Sequence, residues 1–114
     1  MSETNSTALA GKECKPCSSG SQPLQGEPLK KLRAGLQPEW TVVDEHHLER
    51  NYSVANFREA LDLTNRVGEV AERENHHPDI FLSWGRVKLK LWTHNIDGLS
   101  ENDFILAAKL DQLR

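Results

Sequence analysis

Arg86-Val87-Lys88-Leu89-Lys90-Leu91-Trp92-Thr93-His94 is the stretch that decides the fold. Val87, Leu89, Leu91 and Thr93 point one way, and Arg86, Lys88, Lys90, Trp92 and His94 the other. A period of two marks a strand with one face on a core and one toward water. It is the clearest alternation in the chain, and it puts His94 at the strand end, opposite the core. Ile80 to Ser83 reads as a strand just before it, joined through Trp84-Gly85.

The segments on either side complete the domain. Residues 55–74 predict a long helix, with Phe57, Leu61, Thr64, Val67 and Ala71 as one apolar stripe flanked by Ala60, Leu63 and Val70. Asn75-His76-His77-Pro78 ends it, because a proline pushes the residue before it out of helical geometry. Before that helix, residues 40–44 and 48–54 predict a hairpin, with Leu48, Tyr52 and Val54 on one face and Arg50 interrupting them. Residues 27–36 predict a short opening helix with Pro28 in its first turn. Downstream, Asp97-Gly98 turns the chain. Ser100 to Asp103 then opens a last helix as an approximate capping box, with Phe104, Ala107, Ala108 and Leu110 on its buried side. The expected class is α+β: a four-stranded antiparallel sheet with helices packed on one face.

The chain has 114 residues, room for one small domain. Residues 1–26 are rich in Ser, Gly, Pro and Thr, with almost no large apolar side chain besides Leu9 and Leu24. Such a segment offsets little of its ordering entropy by burial, so a flexible tail is expected there and a folded domain over 27–114. A net charge of -3 and a pI near 5.9 argue against non-specific nucleic-acid binding, which needs a basic footprint. No run approaches the ~20 apolar residues of a membrane span. The first residues lack the basic start and apolar stretch of a secretory signal, so a cytoplasmic location is expected.

Glu72, His76, His77 and His94 are the candidates for chemistry. Histidine, with an ordinary pKa of roughly 6.5, both donates and accepts protons near neutral pH. Glu72, four residues before His76, can lie beneath that ring and fix its tautomer. A metal reading competes, since zinc takes His and carboxylate ligands. Adjacent His76-His77 is, however, a poor chelating pair on one helix face. The blandest reading has both histidines merely closing a helix, favoured there by its dipole. Cys14-Lys15-Pro16-Cys17 has the C-x-x-C form without the βαβ context of a redox motif, and reads as an exposed, reactive pair. Zinc shared between subunits remains an alternative for it. His46-His47 reads as a solvated polar turn.

The run Glu72-x3-His76-His77-Pro78-x5-Trp84-x9-His94-x8-Asp103 resembles the signature of the pterin-4a-carbinolamine dehydratases, with every spacing kept. The similarity extends over about residues 29–110, and the N-terminal Cys-x-Pro-Cys is similar to bacterial-type members. The resemblance implies dehydration of 4a-hydroxytetrahydropterin to quinonoid dihydropterin, the step that recycles the cofactor of aromatic amino acid hydroxylases. It implies no metal and no bound cofactor, the pterin being the substrate. By the same resemblance His76, His77 and His94 surround the pterin, with His76 and His94 as general acids. His77 binds substrate and accepts the ring proton, and Glu72 orients His76. Asn75, Trp92, Thr93 and Asn95 line the pocket. Compared with animal members, Asn75 replaces an aspartate, Ile80 an aromatic residue and Trp92 a smaller one, which bears on pocket shape and on the pterin side chain taken. The resemblance further implies a homodimer or homotetramer and a possible aromatic amino acid hydroxylase partner. It leaves open a non-catalytic pterin-binding or protein-assembly role, since animal members also bind a homeodomain transcription factor.

Overall fold

Strand β4 (Arg86–Leu91) lies inside a four-stranded antiparallel sheet in the computed structural model, which describes residues 9–15 and 21–113. The chain runs α1 (Gly26–Ala34), β1 (Thr41–Val43), β2 (His47–Ser53), α2 (Phe57–Glu74), β3 (Asp79–Ser83), β4, a 3₁₀ turn (His94–Ile96) and α3 (Glu101–Asp111). The strand order is β1-β2-β4-β3, so the two strands with the strongest core faces sit in the middle. Their register sets Leu48 opposite Leu91, Arg50 opposite Leu89 and Tyr52 opposite Val87. All six of these side chains are buried, and Thr93 continues their face.

The helices cover that face, as the α+β reading requires. Helix α2 packs on β3, β4 and α3, and α1 packs on α3. Helix α3 is buried nearly all round, from Asp103 through Ala108 and again at Leu110 and Asp111. A helix apolar on every side belongs inside a core, so the four buried positions expected from its sequence understate its burial. The expected capping box is present: the Ser100 N–H donates to Asp103 Oδ2 at 2.9 Å. No helix among the described residues is long and apolar enough to cross a membrane.

The stripe of α2 is narrower than its sequence implies. Ala60, Leu63, Val67, Val70 and Ala71 are buried, whereas Phe57 is 45% exposed. Phe57 is the first helical residue, just after the Asn56 cap. Arg50, which breaks the β2 pattern, stays on the core face. Its Nη1 donates to Asp111 Oδ1 at 2.7 Å, and the Trp40 indole N–H donates to the same oxygen at 2.7 Å. The Gln37 N–H reaches Asp111 Oδ2 at 3.0 Å. A buried charge persists only where it is paired and hydrogen-bonded, and α3 provides that partner.

Two pieces of the region assigned by composition to a tail lie against the domain. Leu9 is buried with the core residues, and the Leu24 N–H donates to the Leu99 carbonyl at 2.8 Å. Gly98 makes room for this approach, because a Cβ there would come within 2.6 Å of Pro23 Cβ.

Candidate active site

Helix α2 ends at Asn75, whose left-handed backbone (φ 53°) lets the His76 N–H close back on the Ala71 carbonyl at 3.2 Å. That cap throws His76 and His77 off the helix. On the other side β4 stops at Leu91, Thr93 pairs with Gly98, and His94 opens the 3₁₀ turn. The end of α2 and the end of β4 border an open cleft of about 490 Å³. Asn75, His76 and His77 form one wall; Trp92, Thr93, His94 and Asn95 form the other. All seven residues expected to bind a ligand are therefore brought together, within the usual size range of small-molecule sites.

The carboxylates are distributed differently from the sequence expectation. Glu72 does not sit under His76; its Oε1 meets His77 Nε2 at 2.8 Å, an exposed pair. The spacing of four residues aligns side chains only while the helix continues, and His76 lies beyond its end. The partner of His76 is Asp103, fully buried at the start of α3, with Oδ1 2.6 Å from Nε2. Asp103 Oδ2 accepts from Thr93 Oγ1 and from the Ser100 N–H, both at 2.9 Å. Thr93 Oγ1 lies 2.7 Å from Ser100 Oγ, so Ser100 donates in turn to Thr93. With its second oxygen occupied by two donors, an ionised Asp103 accepts from His76 and assigns the ring proton to Nε2. His76 Nδ1 is then the atom left for a ligand.

His94 stacks on Trp92, ring centroids 4.3 Å apart and planes inclined by 9°. Behind Trp92 stand His46 and His47, at centroid distances of 5.5 and 6.0 Å. These two are not the solvated turn their sequence implies. Their Nδ1 atoms are 3.0 Å apart, His46 Nε2 is 2.9 Å from Asp97 Oδ1, and His47 Nε2 is 2.9 Å from Glu49 Oε2. The hydrogen bond from His47, with Lys88 and Lys90 alongside, holds the Glu49 carboxyl below its ordinary value.

Sequence reasoning assigned no place in the site to Glu74, Asn102, Cys14 or Lys15, and none to Asp103 although it closes the family signature. Asp103 is marked by its place in the capping box, but its second task, holding His76, spans 27 residues and leaves no local signal. Cys14 and Lys15 extend the cleft wall, although they lie in the supposed tail. Cys14 is half-buried, and burial followed by the adjacent Glu74 carboxylate pushes its thiol up to about 12. The expected reactive thiol is thus not found at Cys14, while Cys17 lies outside the described residues. Folding raises this pKa, so its contribution to stability is complete below the unfolded thiol's 9.0 and fades as pH climbs toward 12. At pH 8 the native protein is expected to alkylate at Cys14 at least ~10²-fold more slowly than the denatured chain, because only the thiolate reacts. Mass spectrometry resolving Cys14 from Cys17 checks this; equal rates would contradict the burial.

Among the described residues no group of three or more His, Cys, Asp or Glu side chains is arranged to hold a metal ion. The class the fold and site define is an α+β domain with a histidine-lined cleft between a helix end and a strand end. Comparison with known proteins narrows that class. The Pterin 4 alpha carbinolamine dehydratase family matches residues 22–113. A protein of Rubrobacter xylanophilus carrying that dehydratase's name is 59% identical over 105 residues, covering 92% of this chain and 97% of its own. One from Alkaliphilus metalliredigens is 54% identical over 104 residues, covering 91% and 94%. The crystal structure of a transcriptional coactivator/pterin dehydratase from Brucella melitensis superimposes with a TM-score of 0.71 at 29% identity, over 82% of this chain and 98% of that one. The chain belongs to the pterin-4a-carbinolamine dehydratase family, and by that homology it is a hydro-lyase.

Proposed function

We propose that the protein dehydrates 4a-hydroxytetrahydropterin to quinonoid dihydropterin by histidine acid–base catalysis, without a metal, in the recycling of the cofactor of an aromatic amino acid hydroxylase. The observation that carries the reading is the convergence of His76, His77 and His94 on one cleft. In the reaction the C4a hydroxyl takes a proton and leaves as water with the C–O electron pair. A ring N–H gives up its proton and its electrons form the new C=N bond. His76 and His94 are the general acids from opposite walls. His77, steadied by Glu72, binds substrate and accepts the ring proton. Asp103 holds His76 through its Nε2–H and stabilises the imidazolium form, whose ligand-facing Nδ1–H delivers the proton; this is the orienting task first expected of Glu72. Asn75, Trp92, Thr93 and Asn95 frame the pterin. The test is stopped-flow decay of freshly generated 4a-hydroxytetrahydropterin with and without a chelator. Acceleration insensitive to the chelator is expected; no acceleration by folded protein would overturn the reading.

A second reading, as a protein-assembly module, draws on the apolar surface around β3. This edge strand exposes Phe81 and Leu82, and Trp84 beyond it is 68% exposed. Exposed aromatic groups of this kind mark association surfaces. The occupant favoured here is a second copy, giving a homodimer or homotetramer compatible with catalysis. Sedimentation equilibrium at micromolar concentration is expected to give at least twice the 12.9 kDa chain mass, and a single-chain mass would contradict it.

A further inference from the structure

Residues 9–15 form a strap fastened to the domain, and its Cys14 and Lys15 line the cleft. The Cys14 N–H donates to Glu74 Oε1 at 3.0 Å, and Cys14 Sγ lies 3.5 Å from the Asn102 carbonyl. Asn102 grips Lys15 from both sides: its Oδ1 accepts the Lys15 N–H at 2.9 Å, and its Nδ2 donates to the Lys15 carbonyl. Lys109 Nζ donates to the Ala10 carbonyl at 2.7 Å, and Lys12 pairs with Glu101 at 2.7 Å. Leu9 anchors the start of the strap in the core. Fastening at both its apolar and its polar end fixes a backbone that composition alone would leave free.

The strap adds to the cleft a charge that no ion pair among the described residues compensates. The cleft's own carboxylate, Glu74, is already engaged by Lys109 at 3.6 Å and by the Cys14 N–H. Asp103 and Glu72, behind the histidines, face His76 and His77. Lys15 lines the cleft and makes no ion pair among the described residues. An ammonium at a cleft mouth favours an anionic group on the ligand, with an attraction that salt weakens.

We propose that the strap is the outer wall of the substrate pocket, and that Lys15 selects pterins whose ring substituent carries an anion such as a carboxylate. The proposal rests on the pterin reading of this cleft and adds to it a choice among pterins. It assigns work to a segment outside the histidine signature.

The test uses two fluorescent oxidised pterins, 6-methylpterin and pterin-6-carboxylate, titrated into the full chain at low salt. The wild type is expected to favour the carboxylate by about three- to fivefold, the scale of an exposed charge pair. Lys15→Ala abolishes that preference and Lys15→Arg keeps it. Asn102→Ala, which releases the grip on Lys15, weakens binding of both pterins. Circular dichroism confirms that each variant is folded. No preference in the wild type, a preference that survives Lys15→Ala, or unchanged affinities in Asn102→Ala would each overturn the proposal. Wild-type dehydration of a methyl-substituted 4a-hydroxytetrahydropterin, measured in parallel, separates the two readings. Activity without a carboxylate preference sinks the strap alone, a preference without activity sinks the dehydratase alone, and binding of neither pterin sinks both.

Discussion

Asp103→Asn is expected to lower kcat/KM for dehydration by about 10²-fold, within the range of ~10²–10⁴ that a positioned acid or base contributes. The carboxylate is an acceptor on every side: it faces His76 Nε2 at 2.6 Å, and Thr93 Oγ1 and the Ser100 N–H at 2.9 Å. Asparagine offers one acceptor oxygen and one donor group. If its NH₂ faces His76, the ring must accept at Nε2 and move its proton to Nδ1, reversing the tautomer. If it faces Thr93 and Ser100, two donors meet a donor and the cap of α3 opens, at about 1–3 kcal/mol for a buried group left unpaired. The loss should fall mainly on kcat, with an altered pH profile, because Asp103 does not touch the ligand. A kcat/KM within threefold of wild type, with an unchanged profile, would show that Asp103 does not position His76.

Asp111→Ala should have the largest effect on stability, about 3–5 kcal/mol by urea unfolding. The substitution leaves the Arg50 guanidinium in the core without its counter-charge and orphans the Trp40 indole N–H. Set against the ~5–15 kcal/mol by which small domains are stable, this approaches global unfolding. Arg50 also lies over the Tyr52 ring, its Cζ 4.4 Å from the centroid, a contact that partly offsets its desolvation. The double replacement Arg50→Met with Asp111→Leu is expected to recover most of the loss, since an apolar pair of similar volume removes both the charge and its need. A double variant no more stable than Asp111→Ala would show that packing around the pair, rather than the unpaired charge, carries the cost.

The parts of the fold legible in the sequence were those specified locally. Residues 86–91 alternate without exception, so their pairing face could be read directly, and Ser100 with Asp103 announces its cap within one turn. Arg50 looked like a flaw in β2 because its partner lies 61 residues away on α3. The candidate site shows the same division. His76, His77 and His94 stand out because paired histidines beside a helix-ending proline fit no packing period. Which carboxylate serves which ring was not legible, because the left-handed Asn75 redirects His76 away from Glu72 and toward Asp103. The strap was illegible for another reason. It is held mostly through backbone N–H and carbonyl groups, which every residue possesses, by side chains as far as 99 positions away.

In the proposed mechanism His76 and His94 deliver the protons of the dehydration. Stopped-flow decay of 4a-hydroxytetrahydropterin with the wild type, His76→Ala and His94→Ala measures that delivery. Rapid wild-type decay is expected, with kcat/KM lower by about 10²-fold or more in each variant. A kcat/KM near wild type in both variants, with the fold intact, would contradict it.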